Sequence, residues 1–420
     1  MSTVLDTTTH LVHAPARDIP VVLDTDVLIC GGGPAGTAAA IAAARLGARV
    51  TIIERYNHLG GLATGGLVIA LPALTDEGRP VVGGIGLEMR DAMLASGEAV
   101  FRERADSCYF DPEAFKHFAL KLSIDAGVDI LHHAWLSDVV LDGGTIRGVV
   151  FATKSGPQAA VADVVVDATG DGDIFAWAGC AFEKSDQTIG LDFRIGGVDT
   201  DKWQAARAGD PDRCAEIIHE IRQDCEWHGP FQLGAVTTAQ DIAWGNNGLR
   251  VADALDPREL SAIDIEARLK IRQALALLRN LMPGFAHSWL MDTASQTGVR
   301  RTRRLRGVAT LTHDDVAQYD FRHPDAVGRG NDFRRQGIAY DIPYGILLPV
   351  EVDGLLTCGR CISCDDEALE PLRVIQVCWV TGQAAGTAAA LAARDGLPPR
   401  NLPIADLQHA LRSADVAFAD

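Results

Sequence analysis

The residues best equipped for chemistry are a glycine run, an acid at a fixed distance from it, and a cluster of arginines. Gly31-Gly32-Gly33-Pro34-Ala35-Gly36 spells GxGxxG, and Glu54 follows 18 residues after Gly36. Gly31 permits a tight turn, Gly33 lets backbone N–H groups approach a pyrophosphate, and Gly36 lets a helix pack closely on a strand. The helix N-terminus adds partial positive charge beside the phosphates. Glu54 can accept both hydroxyls of a ribose and would repel a 2′-phosphate. The pattern therefore points to FAD or NAD rather than NADP. Arg300, Arg301, Arg303, Arg304 and Arg306 form the basic cluster. A guanidinium fork there can clamp a carboxylate. Arg300 and Arg303 are the first candidates for that role, since a spacing of three could put them on one helical face.

The elements around these residues suit the same chemistry. Val27-Leu28-Ile29 predicts a short buried strand, residues 37–46 an alanine-rich helix closed by Gly47, and Val50–Ile53 a second strand that ends on Glu54. Together they make one βαβ unit of dinucleotide-binding form. A helix is predicted to open at Asp111-Pro112-Glu113, with an acid at its N-cap and proline at N1. Short β-type runs at 129–132, 136–141, 147–153 and 164–166 predict a meander. It delivers Ala168, Thr169 and Gly170 on a small-residue turn. Residues 186–330 show few strand signals beyond 191–195 and hold a long amphipathic helix over 256–280. The pattern Asp256-Pro257-Arg258-Glu259 opens that helix as a capping box. Apolar strands are expected again at 346–350 and 355–358, followed by an uncharged helix over 374–393. The organisation is nested, one nucleotide domain interrupted by a second module.

Composition narrows the function classes. The chain has 420 residues, 47% hydrophobic and 22% charged, which excludes a disordered or fibrous protein. Lys+Arg 38 against Asp+Glu 56 gives a net charge of −18, which argues against nucleic acid or an anionic membrane as partner. A small anion sees only its pocket and stays open. Forty-two glycines exceed the usual share of about 7%. Such an excess suggests close backbone approach to a ligand at 31–36, 60–66, 170–172 and 382–386. Nine cysteines at irregular spacing make a poor disulfide framework, and residues 1–20 lack a signal-peptide pattern, so a reduced, cytoplasmic setting is expected. The uncharged 374–393 stretch carries Gln376, Gln383, Gly382 and Gly386, so a buried helix is expected there rather than a membrane span.

With these stretches in view, the chain resembles the FAD-dependent oxidoreductase family with a nucleotide domain of glutathione-reductase type, in the branch near fumarate reductase flavoproteins. The resemblance rests on 26–36 with Glu54-Arg55, 60–67, 109–113, 168–173, 298–304, 340–344, 359–363 and 382–386. It implies an α/β fold, a Rossmann-type FAD-binding domain with an inserted α+β substrate or cap domain. Residues 1–20 would be an N-terminal extension, 21–75, 101–185 and 331–412 the FAD-binding domain, and 76–100 with 186–330 the cap. The FAD contacts implied are Gly31, Gly33, Pro34, Ala35 and Gly36 at the pyrophosphate and Glu54 with Arg55 at the ribose. Further contacts are Gly61, Leu62, Ala63 and Thr64, the 168–170 turn, Gly359 and Arg360, and Arg373 with Ile375 at the start of the 374–393 helix. The family's histidine falls on Asp366 here, so that histidine's role does not carry over.

Other motifs have plainer readings beside sharper ones. Cys358, Cys361 and Cys364 spell CxxCxxC, but the fourth ligand of an iron–sulfur site is missing at the usual spacing. Core thiols and no metal are expected. Tyr344, between Pro343 and Gly345, is a candidate donor to substrate or else a packed aromatic. His58, near the second glycine segment, is the position where a covalent flavin link could be sought. The reading is a dehydrogenase or oxidase passing hydride between a small polar substrate, an anion among the candidates, and flavin, with Arg300, Arg303 and Tyr344 as candidate catalytic residues. The alternatives are a C=C reductase of fumarate-reductase type and a redox-sensing flavin protein without turnover. No second glycine–strand–acid unit exists for a nicotinamide, so oxygen, a quinone or a protein carrier is the expected electron acceptor. A homo-oligomer stays open.

Overall fold

The apolar run after residue 20 forms β1, Val21–Cys30, whose last four residues are buried. Gly31 breaks the strand and α1, Pro34–Arg45, follows with proline at its first turn. Strand β2, Val50–Ile53, returns beside β1, parallel to it with Val27 opposite Val50. The chain is described by a computed structural model over residues 4–6, 11–13, 16–101, 107–235, 241–335 and 338–419. Next come α2, Gly84–Ala95, and α3, Pro112–Asp125, whose N-cap Asp111 accepts from the Glu113 N–H as the sequence suggests. Strand β3, Asp129–Leu131, is followed by the meander β4, Trp135–Asp142, β5, Thr145–Thr153, and β6, Gly156–Asp167.

The main sheet runs β3-β2-β1-β6-β5-β4. Strands β3, β2, β1 and β6 run parallel to one another, while β5 is antiparallel to both β6 and β4. Short helix α4, Asp173–Trp177, leaves the end of β6. A separate four-stranded antiparallel sheet follows, with β7, Phe193–Gly196, β8, Phe231–Ala235, and β9, Ala243–Asn247. The long helix α5, Pro257–Leu281, precedes its last strand β10, Trp289–Thr293. Strand β11, Arg303–Leu305, leads back toward the main sheet, where β12, Leu355–Thr357, pairs with β6 in parallel. Helix α6, Ile375–Asp395, is buried over nearly its whole length. Among the described residues, no helix is long and apolar enough to cross a membrane.

Burial sorts the chain into cores. One packs α1, α6, α2 and α3 on one face of the main sheet; a second, with Leu28, Ile53, Phe151 and Val165, lies on the other face. A third joins Phe193 and Ile195 of β7 to Ile263, Ile271 and Leu275 of α5. Ile85, Met89 and Met93 of α2 belong to the core around α1 and α6, because their apolar face meets Trp379 and its neighbours rather than α5. Two local expectations change. The strand expected at 346–350 does not form: residues 344–347 make a 3₁₀ turn, and Pro349 inside that run has no N–H to give a ladder. At α5, Asp256 accepts from the Arg258 N–H, but Glu259 accepts from Asp253, so the capping box does not close.

Candidate cofactor and substrate site

A cavity of about 1580 Å³ opens at the C-terminal ends of the parallel strands and extends to the β7–β9 sheet. Ligands lie in such crevices of open α/β sheets because helix N-termini converge there. Two do so here: Gly33, Pro34 and Ala35 at the start of α1, and Val374 and Ile375 at the start of α6, all line it. Neither first turn contains an acid, and neither N-cap has a side-chain hydrogen bond. Both ends therefore present uncancelled positive character to a ligand.

Backbone crowding explains the glycine run. Gly31 has φ +106°, and a Cβ there would come 2.6 Å from the Ala168 carbonyl oxygen. At Gly36 a Cβ would overlap the carbonyl of Gly31, so this glycine serves the close packing of α1 and does not line the cavity. Glu54 is buried on the cavity wall. Its Oε2 accepts from the Gly32 N–H at 2.7 Å and its Oε1 from the Tyr56 N–H at 2.9 Å. Arg55 lies over the rings of Tyr56 and Trp135, each at 5.1 Å. Gly61, Leu62 and Ala63 also line the cavity, but Thr64 turns inward. Its hydroxyl donates to the carbonyls of Leu59 and Gly61, which removes it from the wall. His58 is likewise absent from the wall and stacks on Tyr56.

The turn after β6 is held by Asp167. Its carboxylate accepts from the Thr169 hydroxyl at 2.7 Å and from the N–H groups of Thr169, Ile174 and Phe175 at 3.0–3.1 Å. Burial pushes this acid up to about 6 in spite of those donors. The turn presents Ala168, Thr169 and Gly170 to the cavity, beside Gly359 and Arg360 at the end of β12. Arg360 donates to Asp171 at 2.9 Å, which also accepts from Thr302.

The arginine cluster divides by partner. Arg301 pairs with Asp366 and Glu370, Arg304 with Asp366, Arg303 with Asp173, and Arg373 with Glu370. Asp366 thus anchors two guanidinium groups. Arg300 differs. It lines the cavity, and its bonds go to the Thr188 carbonyl and hydroxyl, Asn246 Oδ1 and the Asn247 carbonyl, all uncharged. Arg300 and Arg303 do not share a helical face, because Arg303 opens strand β11. Tyr344 is a packed aromatic. It is buried off the cavity and donates to the Pro399 carbonyl at 2.9 Å, and burial pushes its phenol up. All nine cysteines are free and buried, Cys358 and Cys378 on the cavity wall.

Several wall residues had no motif to announce them: Gln187, Asp192, Trp244, Asn246 and Gln296. The available signal for Asp192 was a lone acid inside the apolar run 189–195. Gln187 Oε1, Trp244 Nε1, Arg360 Nη1 and Arg373 Nε are buried without a hydrogen-bond partner among the described residues. They offer polar capacity to whatever fills the cavity.

Residues 26–411 match the family described as FAD dependent oxidoreductase, and the chain belongs to that family. Among curated relatives, digeranylgeranylglycerophospholipid reductase 1 of Methanopyrus kandleri is 30% identical over 151 residues, 35% of this chain and 40% of that protein. A thiamine thiazole synthase of Methanococcus aeolicus is 29% identical over 178 residues, 40% of this chain and 62% of that protein. The chain therefore spans less than two thirds of either relative. The fold is shared with the myxobacterial FAD-dependent halogenase of chondrochloren, with TM-score 0.52 and 14% identity over 93% of this chain and 79% of that one. It is also shared with p-nitrophenol 4-monooxygenase of Pseudomonas putida, with TM-score 0.51 and 11% identity over 93% and 84%. FAD is the cofactor that the family carries. The cavity suits it, with two acid-free helix N-termini, a carboxylate at the end of β2 and unsatisfied donors along the wall.

Proposed function

We propose that this FAD-dependent oxidoreductase exchanges hydride with a small polar, anionic substrate whose charged group is bound by Arg300. When bound, FAD supplies the two-electron chemistry, and the protein positions, neutralises and shields. In this reading Gly31, Gly33, Pro34 and Ala35 hold the pyrophosphate, Glu54 and Arg55 the adenosine ribose, and Gly359 with Arg360 the phosphate-side ribityl chain. Gly61 to Ala63 and the 168–170 turn close over the cofactor. Ile375 at the start of α6 faces the part of the flavin where negative charge develops. Residues 21–75, 101–185 and 331–412, joined by 76–100, make the cofactor-binding part, and 186–330 supplies most of the substrate wall.

The observation that carries the substrate class is the Arg300 environment. The neighbouring arginines 301, 303, 304 and 373 each have a carboxylate partner, whereas Arg300 has none within ion-pairing distance among the described residues. A guanidinium held by neutral acceptors on a cavity wall keeps its charge for a ligand. The test is an anaerobic screen of hydroxy, amino and unsaturated carboxylates for flavin bleaching or reoxidation, repeated with Arg300→Gln. A hundredfold rise in KM for the active acid is expected. Unchanged KM, or activity confined to uncharged compounds, would remove the anionic substrate from the reading. If no donor bleaches the flavin, the redox-sensing alternative takes its place.

A further inference from the structure

Asp192 sits at the junction of the substrate wall and the β7–β9 sheet, immediately before β7. Strand β9 fixes it from one side. Asn247 Nδ2 donates to the Leu191 carbonyl at 2.6 Å and Asn247 Oδ1 accepts from the Leu191 N–H at 3.0 Å, a two-point clamp on the preceding residue. On the other side the Ala294 N–H donates to the Asp192 carbonyl at 2.8 Å. The backbone is thus immobilised while the side chain lines the cavity with Arg300 and Trp244.

The carboxyl itself is poorly solvated. Asp192 is 6% exposed, and among the described residues its carboxyl takes one hydrogen bond from the backbone, the Asn247 N–H at 3.3 Å. The Trp244 indole reaches toward it without closing a regular bond. The contrast with Asp167, which accepts four bonds while capping a turn, is direct. A buried carboxylate needs two or three good donors or an ion pair to stay ionised. Among the described residues Asp192 has neither, which favours its protonated form inside the cavity. The charged group facing it is Arg300; Asn247 and Trp244 are neutral, and Arg194 nearby is taken up by Asp292.

We propose that Asp192 is the catalytic acid–base of this site, exchanging the substrate proton that accompanies hydride transfer while Arg300 holds the substrate's anionic group. This rests on the reading of the cavity as an oxidoreductase site. In the reductive direction bound FAD would supply the hydride to one atom of a C=C or C=O bond. The adjoining atom takes the Asp192 proton as the π bond breaks, and Asp192 is left as a carboxylate. In oxidation the cofactor would take the hydride as the substrate's C–H bond breaks, and the substrate's O–H proton passes to ionised Asp192. Burial pushes the carboxyl up to about 8 against the pull of Arg300 and Asn247, so reduction is served below that pH and oxidation above it.

Two measurements on FAD-loaded protein read this proton without turnover. Infrared difference spectra between pH 6 and pH 10 should show a protonated carboxyl band that disappears near pH 8 and is missing in Asp192→Asn. Thermal stability should fall relative to Asp192→Asn as pH rises from about 4 to about 8, because the folded state holds a proton that the unfolded chain releases. For turnover, the carboxylate that first bleaches or reoxidises the flavin in the Arg300 screen serves as probe. Asp192→Asn should lower the flavin half-reaction about 10²- to 10⁴-fold, with saturation little changed and the inflection near pH 8 gone. A half-reaction within threefold of wild type, or a carboxyl already ionised at pH 6, would overturn the proposal while leaving the anionic-substrate reading intact. Failure of every carboxylate would instead bring down that reading and this proposal with it. Should Asp192→Asn not bind FAD, Asp192→Glu and the wild-type infrared titration decide the matter.

Discussion

The α carbon of Gly382 lies so close to Ala35 that a Cβ on it would overlap the Ala35 carbonyl oxygen. One turn on, Gly386 stands in the same relation to Ala39. Helices α1 and α6 therefore touch backbone to backbone, which puts their two N-termini on one cavity. These glycines do not line the cavity, as the glycine excess alone had suggested; they set the distance between the two helices whose first residues do.

Replacing Gly382 or Gly386 with alanine should push the helices apart and spread both N-termini. Overpacking of this kind costs about 1–3 kcal/mol. A lowered Tm and purification with substoichiometric FAD, read from the visible spectrum, are the expected results. Alanine at Gly33, where a Cβ meets nothing within 4 Å in the protein, should leave Tm unchanged and still weaken FAD binding.

Glu54→Gln removes an acceptor from one of two backbone N–H groups, because an amide nitrogen would face a donor. In the proposed site it also weakens a charged acceptor for the ribose hydroxyls, and the loss of a charged hydrogen bond is worth about 1.5–3 kcal/mol. FAD affinity should fall roughly 10- to 100-fold by the same measure, seen in a titration of apoprotein followed by flavin fluorescence.

Tyr344→Phe is expected to spare turnover. The hydroxyl is spent on the Pro399 carbonyl in the core, so the change should cost about 1 kcal/mol of stability with kcat and KM within twofold of wild type. A large fall in kcat at unchanged Tm would return Tyr344 to the active site.

Acid should loosen the arginine cluster through Glu370. Burial would raise its carboxyl, but Arg373, Arg301 and the bond from Gln187 outweigh that and bring it down from 4.5 to about 2. A depressed folded value means its stabilisation is complete above about pH 4.5 and is lost as pH falls toward 2. The Tm difference between wild type and Glu370→Gln should accordingly shrink over that window and be constant above it.

The first βαβ unit was legible because each of its parts is a local event: an apolar strand, a glycine that must adopt positive φ, an alanine-rich helix, an acid at the next strand end. The meander and the long helices were readable from periodicity and caps for the same reason. Thr64 and Gly36 fell inside recognisable motifs yet turned away from the cavity, since a motif names a stretch and not the direction of each side chain.

Sequence by itself determined the nucleotide-binding unit, the family to which the chain belongs and hence FAD, because backbone approach to a pyrophosphate demands particular residues at particular spacings. It also located the arginine cluster. Only the tertiary structure decided which arginine of the cluster has no carboxylate partner among the described residues, that Tyr344 is core, and that Asp192 shares a wall with Arg300 across 108 residues of chain. Ion pairing and burial depend on what distant segments bring alongside. A lone acid in an apolar run looks the same in sequence whether it ends at solvent, under a cap, or in an active site.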